Sequence, residues 1–99
     1  MDTIERYRTI VQDVLKPLSE RRYTGRDVHN EAVFDTKNDR YIVMSVGWEH
    51  PKRIHGCIAH LDIIGVKVWI LQDSTESGIA YDLEAAGIPK SDIVLGFHP

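Results

Sequence analysis

Four segments rich in Val, Ile, Tyr, Phe and Trp follow one another with only short turn-forming runs between them. They are Val28–Asp35, Arg40–Trp48, Arg53–Ile63 and Val66–Gln72. Their composition is that of strands, and the runs between them carry turn chemistry: Lys37-Asn38-Asp39, His50-Pro51-Lys52 and Gly65. Such connections join antiparallel neighbours, because a parallel crossover needs about a dozen residues or more. The economical reading is a four-stranded antiparallel meander.

Helical patterns flank the four segments. Ile4, Tyr7, Val11, Val14, Leu15 and Leu18 recur at three-and-four spacing and make one apolar stripe, opened by an Asp2/Glu5 pair that resembles a capping box. Pro17 lacks an N–H and crowds the carbonyl four residues back, so this helix is expected to kink or end near Leu15–Lys16. A second helix is expected from about Thr75 to Ala86, with Asp73 or Thr75 as cap and Ile79, Ala80, Leu83 and Ala86 as its stripe. Gly87 and Pro89 close it. The apolar tail Asp92–Phe97 is expected to pack as a last strand or extended segment. The chain therefore reads as one α+β domain over residues 1–99, α-β-β-β-β-α with an extended end and both helices on one sheet face.

Alternation sorts the second segment into two sets. Ile42, Met44, Val46 and Trp48 share one side and are expected under the helices, whereas Tyr41, Val43, Ser45 and Gly47 share the other. The second set is half apolar, so something should cover it: the C-terminal segment or another subunit.

Composition narrows the function classes. Ninety-nine residues leave no room for a second domain, and no apolar run approaches the ~18 residues of a membrane span. A single cysteine, Cys57, excludes an intrachain disulfide and fits a reducing, cytoplasmic setting. The formal net charge is −3, and beyond residue 72 Lys90 stands alone against Asp73, Glu76, Asp82, Glu84 and Asp92. The one basic cluster, Lys16, Arg21, Arg22 and Arg26, suits a solvated helix end. Tight binding to duplex DNA without a partner is not expected of such a chain.

The run Arg53-Ile54-His55-Gly56-Cys57-Ile58-Ala59-His60-Leu61-Asp62 holds most of the reactive side chains. On a regular strand His55 and Cys57 point to one face, and His60 and Asp62 to the other. Two ligands per face are too few for a closed zinc site, and nothing demands a bulge at Gly56 to re-aim His55. Cys57, a histidine and Asp62 supply the residue types of a thiol triad but not its convergence. No catalytic residues, metal or cofactor are expected, and the bland reading of the cluster is structural. Trp48 and Trp69 are core anchors, or one of them is an interface hot spot. The ending Gly96-Phe97-His98-Pro99 suits an extended segment docked by close backbone approach.

Read together, Phe34-Asp35-Thr36, Tyr41, Val46-Gly47-Trp48, Arg53–Cys57, His60-Leu61-Asp62-Ile63, Lys67–Ile70, Thr75-Glu76, Gly78-Ile79-Ala80, Gly87–Lys90 and Asp92–His98 resemble the XisI family. That is the family of the cyanobacterial fdxN-element excision controlling factor, and the resemblance covers roughly residues 34–98. Among the residues that carry it are Trp48, Arg53, His55, His60, Asp62, Gly96, Phe97 and His98, the candidate interaction residues. The resemblance implies a non-enzymatic accessory role in excising a DNA element, beside a second small, nuclease-like protein, XisH. Members of the family commonly run on past the Gly-Phe-His-Pro point with a further short segment, which could cover the second sheet face or a partner site. The expectation is a cytoplasmic homodimer that works through protein contacts, with no membrane attachment. The alternative is a small enzyme or metal-binding protein that uses His55, Cys57, His60 and Asp62.

Overall fold

The computed structural model describes residues 2–96. Helix α1 spans Thr3–Ser19, opened by Asp2, whose carboxylate accepts the Glu5 N–H at 2.8 Å. Tyr7, Val11 and Leu15 are its buried stripe, one residue per turn. The helix does not end before Pro17 but runs through it to Ser19. Proline is tolerated there because it deprives only the Asp13 carbonyl, one turn from an end that other groups hold. Glu20 N–H and the Ser19 hydroxyl both donate to Lys16 O, and the Asn30 side-chain amide donates to Leu18 O at 2.8 Å.

Strands β1 (Asp27–Asp35), β2 (Arg40–Glu49), β3 (Lys52–Ile64) and β4 (Lys67–Asp73) form the expected antiparallel meander. At the β1–β2 turn the Asp35 carboxylate accepts the backbone N–H groups of Lys37 and Asn38, and Asp39 takes the left-handed conformation (φ 55°). Helix α2 is shorter than expected, Ile79–Ala85. The Asp73 carboxylate organises the loop before it, taking the Thr75 N–H at 2.9 Å and the Ile79 N–H at 2.7 Å. Residues 75–78 therefore form a capped loop rather than a first turn. At the other end Gly87 (φ 114°) allows Gly87 N–H and Ile88 N–H to reach back to Glu84 O and Leu83 O, each at 3.0 Å, which buries Ile88.

The sheet has five strands, not four. After α2 a short 3-10 turn (Lys90–Asp92) delivers β5, Ile93–Leu95, which pairs parallel to β4. A parallel partner is possible here because α2 supplies the crossover that the shorter turns lack. The tail expected as a last strand or extended segment is a strand of the same sheet at Ile93–Leu95, and Gly96 N–H continues the pairing to Ile70 O at 2.8 Å.

Both helices lie on one face, but the residues beneath them are not the expected set. Tyr41 and Val43 are fully buried there, with Ala59, Leu61 and Ile63 of β3 and Val68 and Ile70 of β4. Ile42, Met44, Val46 and Trp48 point the other way, so Trp48 and the α1 stripe stand on opposite sides of the sheet. Cross-strand register decides the matter. Tyr41 pairs with the half-buried Phe34 and with the buried Leu61, and Val43 pairs with the buried Ala59, so the core-facing residues of β3, with Phe34 of β1, select the odd-numbered set of β2. Gly47 belongs to the same set and could carry no side chain: at φ 144°, an added Cβ would lie 2.0 Å from the Asp27 carbonyl oxygen.

Two polar ties fasten the helical layer. Arg8 forks onto Asp39, Nε to Oδ1 at 2.8 Å and Nη2 to Oδ2 at 3.1 Å, while the Tyr41 hydroxyl donates to the same carboxylate at 2.9 Å. The Arg8 guanidinium holds the Asp39 carboxyl below the usual carboxylate range, and burial pushes the Tyr41 phenol up. The Tyr7 hydroxyl donates to Asp92, which ties α1 to the turn before β5.

Candidate interaction face

The face turned away from the helices is a grid set by strand register. Running from β1 across to β3, its lateral rows are Asp27–Trp48–Arg53, His29–Val46–His55 and Glu31–Met44–Cys57. The next row is Val33–Ile42–His60–Gln72, and the last is Asp35–Arg40–Asp62–Trp69–Val94. Down the middle column, β2 presents four large apolar side chains in succession above Arg40. Val33 is 53% exposed and Trp48 44%. No element among the described residues lies over them.

A bulge overturns the expected split of the histidine-rich strand. Met44 pairs with Cys57 and Val43 with Ala59, which leaves Ile58 as an extra residue on β3. Ile58 packs against the core together with Ala59. The alternation therefore resets, and Arg53, His55, Cys57, His60 and Asp62 all fall on the open face. A second register shift, at Leu71 between the His60–Gln72 and Leu61–Ile70 pairs, similarly keeps Trp69 beside Asp62. Neither shift coincides with Gly56.

The chemistry of this cluster is quiet. His60 Nε2 and Asp62 Oδ1 are 2.9 Å apart, and His29 Nε2 lies 3.4 Å from Glu31. The Cys57 thiol donates to its neighbour Ala59 O at 3.2 Å, and burial pushes it up from the ordinary thiol range, away from the reactive thiolate. Among the described residues, no three His, Cys, Asp or Glu side chains lie close enough to hold one metal ion. Trp48 stacks on the His50 ring, centroids 5.7 Å apart and planes within 10°. Arg53 is exposed and has no carboxylate partner among the described residues. Such an array can form contacts; it does not gather reactive groups around a point.

Of the candidate residues, Trp48, Arg53, His55, His60 and Asp62 are brought together on this face. Gly96 sits past its edge, where an added Cβ would lie 2.7 Å from Leu71 Cδ2 and 3.2 Å from Trp69 Cε3. Phe97 and His98 lie outside the described residues. Sequence reasoning passed over Ile42, Met44 and Val46 as surface residues. Their companions in the β1 column, Asp27, His29 and Glu31, are a usable signal, because a strand whose alternate residues are charged seldom lies under a helix.

Elsewhere, a cleft of about 460 Å3 opens between the second half of α1 and residues 75–82, lined by Leu15, Leu18, Arg21, Glu76 and Asp82 among others. No helix among the described residues is long and apolar enough to cross a membrane.

A two-layer α+β domain, with two helices over one face of a five-stranded mixed sheet and the other face uncovered by the described residues, is the class to which this geometry belongs. Residues 1–99 match the family model described as XisI protein, and the chain belongs to the XisI family. Solved structures agree. A XisI-like protein from Anabaena variabilis superposes with a TM-score of 0.90 at 32% identity, over 97% of this chain and 88% of the other. The fdxN element excision controlling factor XisI from the same organism gives a TM-score of 0.84 at 34% identity, over 99% and 89% of the two chains. No curated protein matched the sequence.

Proposed function

We propose that this protein is a non-enzymatic accessory factor that acts by protein contact, in the controlling role that its relative's name describes for excision of a DNA element. The observation that carries the reading is the open face: a column of Ile42, Met44, Val46 and Trp48, flanked by columns that carry charged residues, with no element among the described residues over it. Exposed apolar patches rimmed by polar groups are the usual mark of a protein interface. The partner in this reading is a XisH-like protein or the recombination complex it serves. DNA enters through that partner, because the chain's net charge of −3 gives it little hold on phosphates.

The test is co-expression with a XisH-like protein and recovery through a tag on that partner. Stoichiometric co-purification that survives 0.5 M salt is expected; separation of the two proteins on a sizing column would refute the reading.

A second reading, an enzyme built on His55, Cys57, His60 and Asp62, is favoured by the Ile58 bulge that puts all four on one face. Against it stands the Cys57 thiol, shifted toward its unreactive form. One tightly held metal equivalent that disappears in His60→Ala would promote that reading.

A further inference from the structure

Between the end of α1 and the start of β1 lies a hollow of about 290 Å3, lined by Ser19, Glu20, Arg21, Arg22, His29 and Asn30. The segment that carries the two arginines is held in place. Arg22 bridges antiparallel to His29 of β1, and the Arg21 guanidinium lies 5.6 Å from the centre of the Tyr23 ring. Nearby Arg26 is taken by Glu49 at 3.0 Å, whereas neither Arg21 nor Arg22 has a carboxylate partner among the described residues. Asn30 is the buried member of the lining, only 8% exposed. Its Nδ2 donates to Leu18 O at 2.8 Å and reaches the Tyr23 hydroxyl at 3.3 Å. A carbonyl can only accept, so Leu18 O fixes which end of the amide is which. Oδ1, at the other end, is the one buried side-chain polar atom among the described residues without a partner. Leu18 and Tyr23 do not line the hollow and Asn30 does, so the amide turns its acceptor toward it. A buried acceptor left without a donor is costly, and a bound molecule that supplies the donor removes that cost.

We propose that this hollow binds a phosphate-type oxyanion that carries a hydroxyl. Arg21 and Arg22 offer forked donors to the ionised oxygens, and Asn30 Oδ1 accepts the proton of the hydroxyl. Glu20 is the one carboxylate in the lining, and the two arginines outweigh it. The end of α1 repels anions through its free carbonyls, but here those carbonyls are occupied. Glu20 N–H and the Ser19 hydroxyl take Lys16 O, while Arg21 N–H and the Asn30 amide take Leu18 O. The volume is close to the ~300 Å3 at which small-ligand pockets begin, room for a phosphate or a small phosphate ester. The proton is the selective part. Sulfate has the same shape but no proton at neutral pH, so it sets an acceptor against Oδ1. Holding one such ion is compatible with a weak grip on duplex DNA, which needs a run of phosphate contacts. The site is independent of the functional reading above, because Asn30 faces the helical layer and not the open face.

An amide NMR titration of the full chain at pH 7 in a zwitterionic buffer tests this, with inorganic phosphate, a ribose phosphate and sulfate as probes. Phosphate should shift the Asn30 side-chain amide and the Arg21 and Arg22 signals saturably, with a Kd below about 1 mM. Sulfate should bind about tenfold more weakly or worse, and Arg21→Gln and Arg22→Gln should each weaken phosphate about tenfold. Both arginines are exposed, so the circular dichroism spectrum should not change. The phosphate–sulfate difference reads the Asn30 contact without replacing Asn30, whose loss would also free Leu18 O and loosen the helix end. A ribose phosphate that binds more tightly than phosphate assigns the site to an ester, and one that binds more weakly assigns it to the free ion; both uphold the site. Equal affinity for sulfate would overturn the proposal. So would phosphate binding that is absent at about 10 mM, or that Arg21→Gln and Arg22→Gln leave unchanged.

Discussion

The two faces of the sheet are built from the same strands and from similar amounts of apolar side chain, yet they have opposite fates. On the helix side Tyr41, Val43, Ala59, Leu61, Val68 and Ile70 lose essentially all contact with water. On the other side Ile42, Met44 and Val46 are half-buried by their own neighbours, and Trp48 and Val33 are exposed. Hydrophobicity does not separate Tyr41 and Val43 from Ile42 and Met44. Their partners do. The covered set meets the buried Ala59 and Leu61 on β3, the half-buried Phe34 on β1 and the buried stripe of α1, and its one phenol finds Asp39; the partners of the open set include Asp27, His29, Glu31, Arg53, His55 and His60. Folding of one chain accounts for the first face. It leaves the second unexplained, and that residue of apolar surface is what calls for a partner.

The comparison breaks most readily on the covered side. Leu83 is fully buried between α2 and the sheet, so Leu83→Ala should destabilise by roughly 2–5 kcal/mol in a urea melt. Met44→Ala, the same kind of truncation on the open face, should cost less than about 1 kcal/mol. Equal losses would mean that the open face is covered within the monomer.

A smaller effect sharpens what holds the helical layer down. The Asp39 carboxyl lies below the usual range chiefly because Arg8 donates to it, with the Tyr41 hydroxyl adding to the effect. A carboxyl lowered in the folded state stabilises above its unfolded pKa of ~3.9, and that contribution disappears as pH falls through the lower folded value. Asp39→Asn should therefore cost up to about 1 kcal/mol at pH 7, a discounted figure because the pair is partly solvated. The gap between variant and parent should close below pH 4. A constant gap from pH 7 to pH 3 would show that turn geometry, not charge, is what the substitution removes.

Much of this was legible in the residues, and the parts that were not have physical reasons. Strand and turn boundaries came through because Asn38, Asp39, Pro51 and Gly65 interrupt long β-branched runs. Family membership came through because the chain keeps its pattern from Phe34 to the end. The choice of covered face did not, because β2 is apolar on both sides and only its cross-strand partners break the tie. The single face shared by His55, Cys57, His60 and Asp62 was hidden for a different cause. A bulge adds one residue without needing a glycine, and Ile58 between Cys57 and Ala59 gives no local sign of it. Pro17 inside α1 is the same lesson in smaller form, since local preference yields to the groups that hold the helix end.

The smallest effect concerns Cys57, which sits where the two accounts of the open face diverge. If the face serves contact alone, the thiol is an ordinary half-buried group beside Met44, donating to Ala59 O and shifted up by desolvation. Cys57→Ser should then change stability by less than about 1 kcal/mol. Alkylation by iodoacetamide, followed by mass spectrometry across pH, should show a midpoint above the ~8.5 of a free cysteine, because only the thiolate reacts. A midpoint below 8 would instead mark a thiol activated by His55 or His60, and would turn the open face from a contact surface into a reactive one.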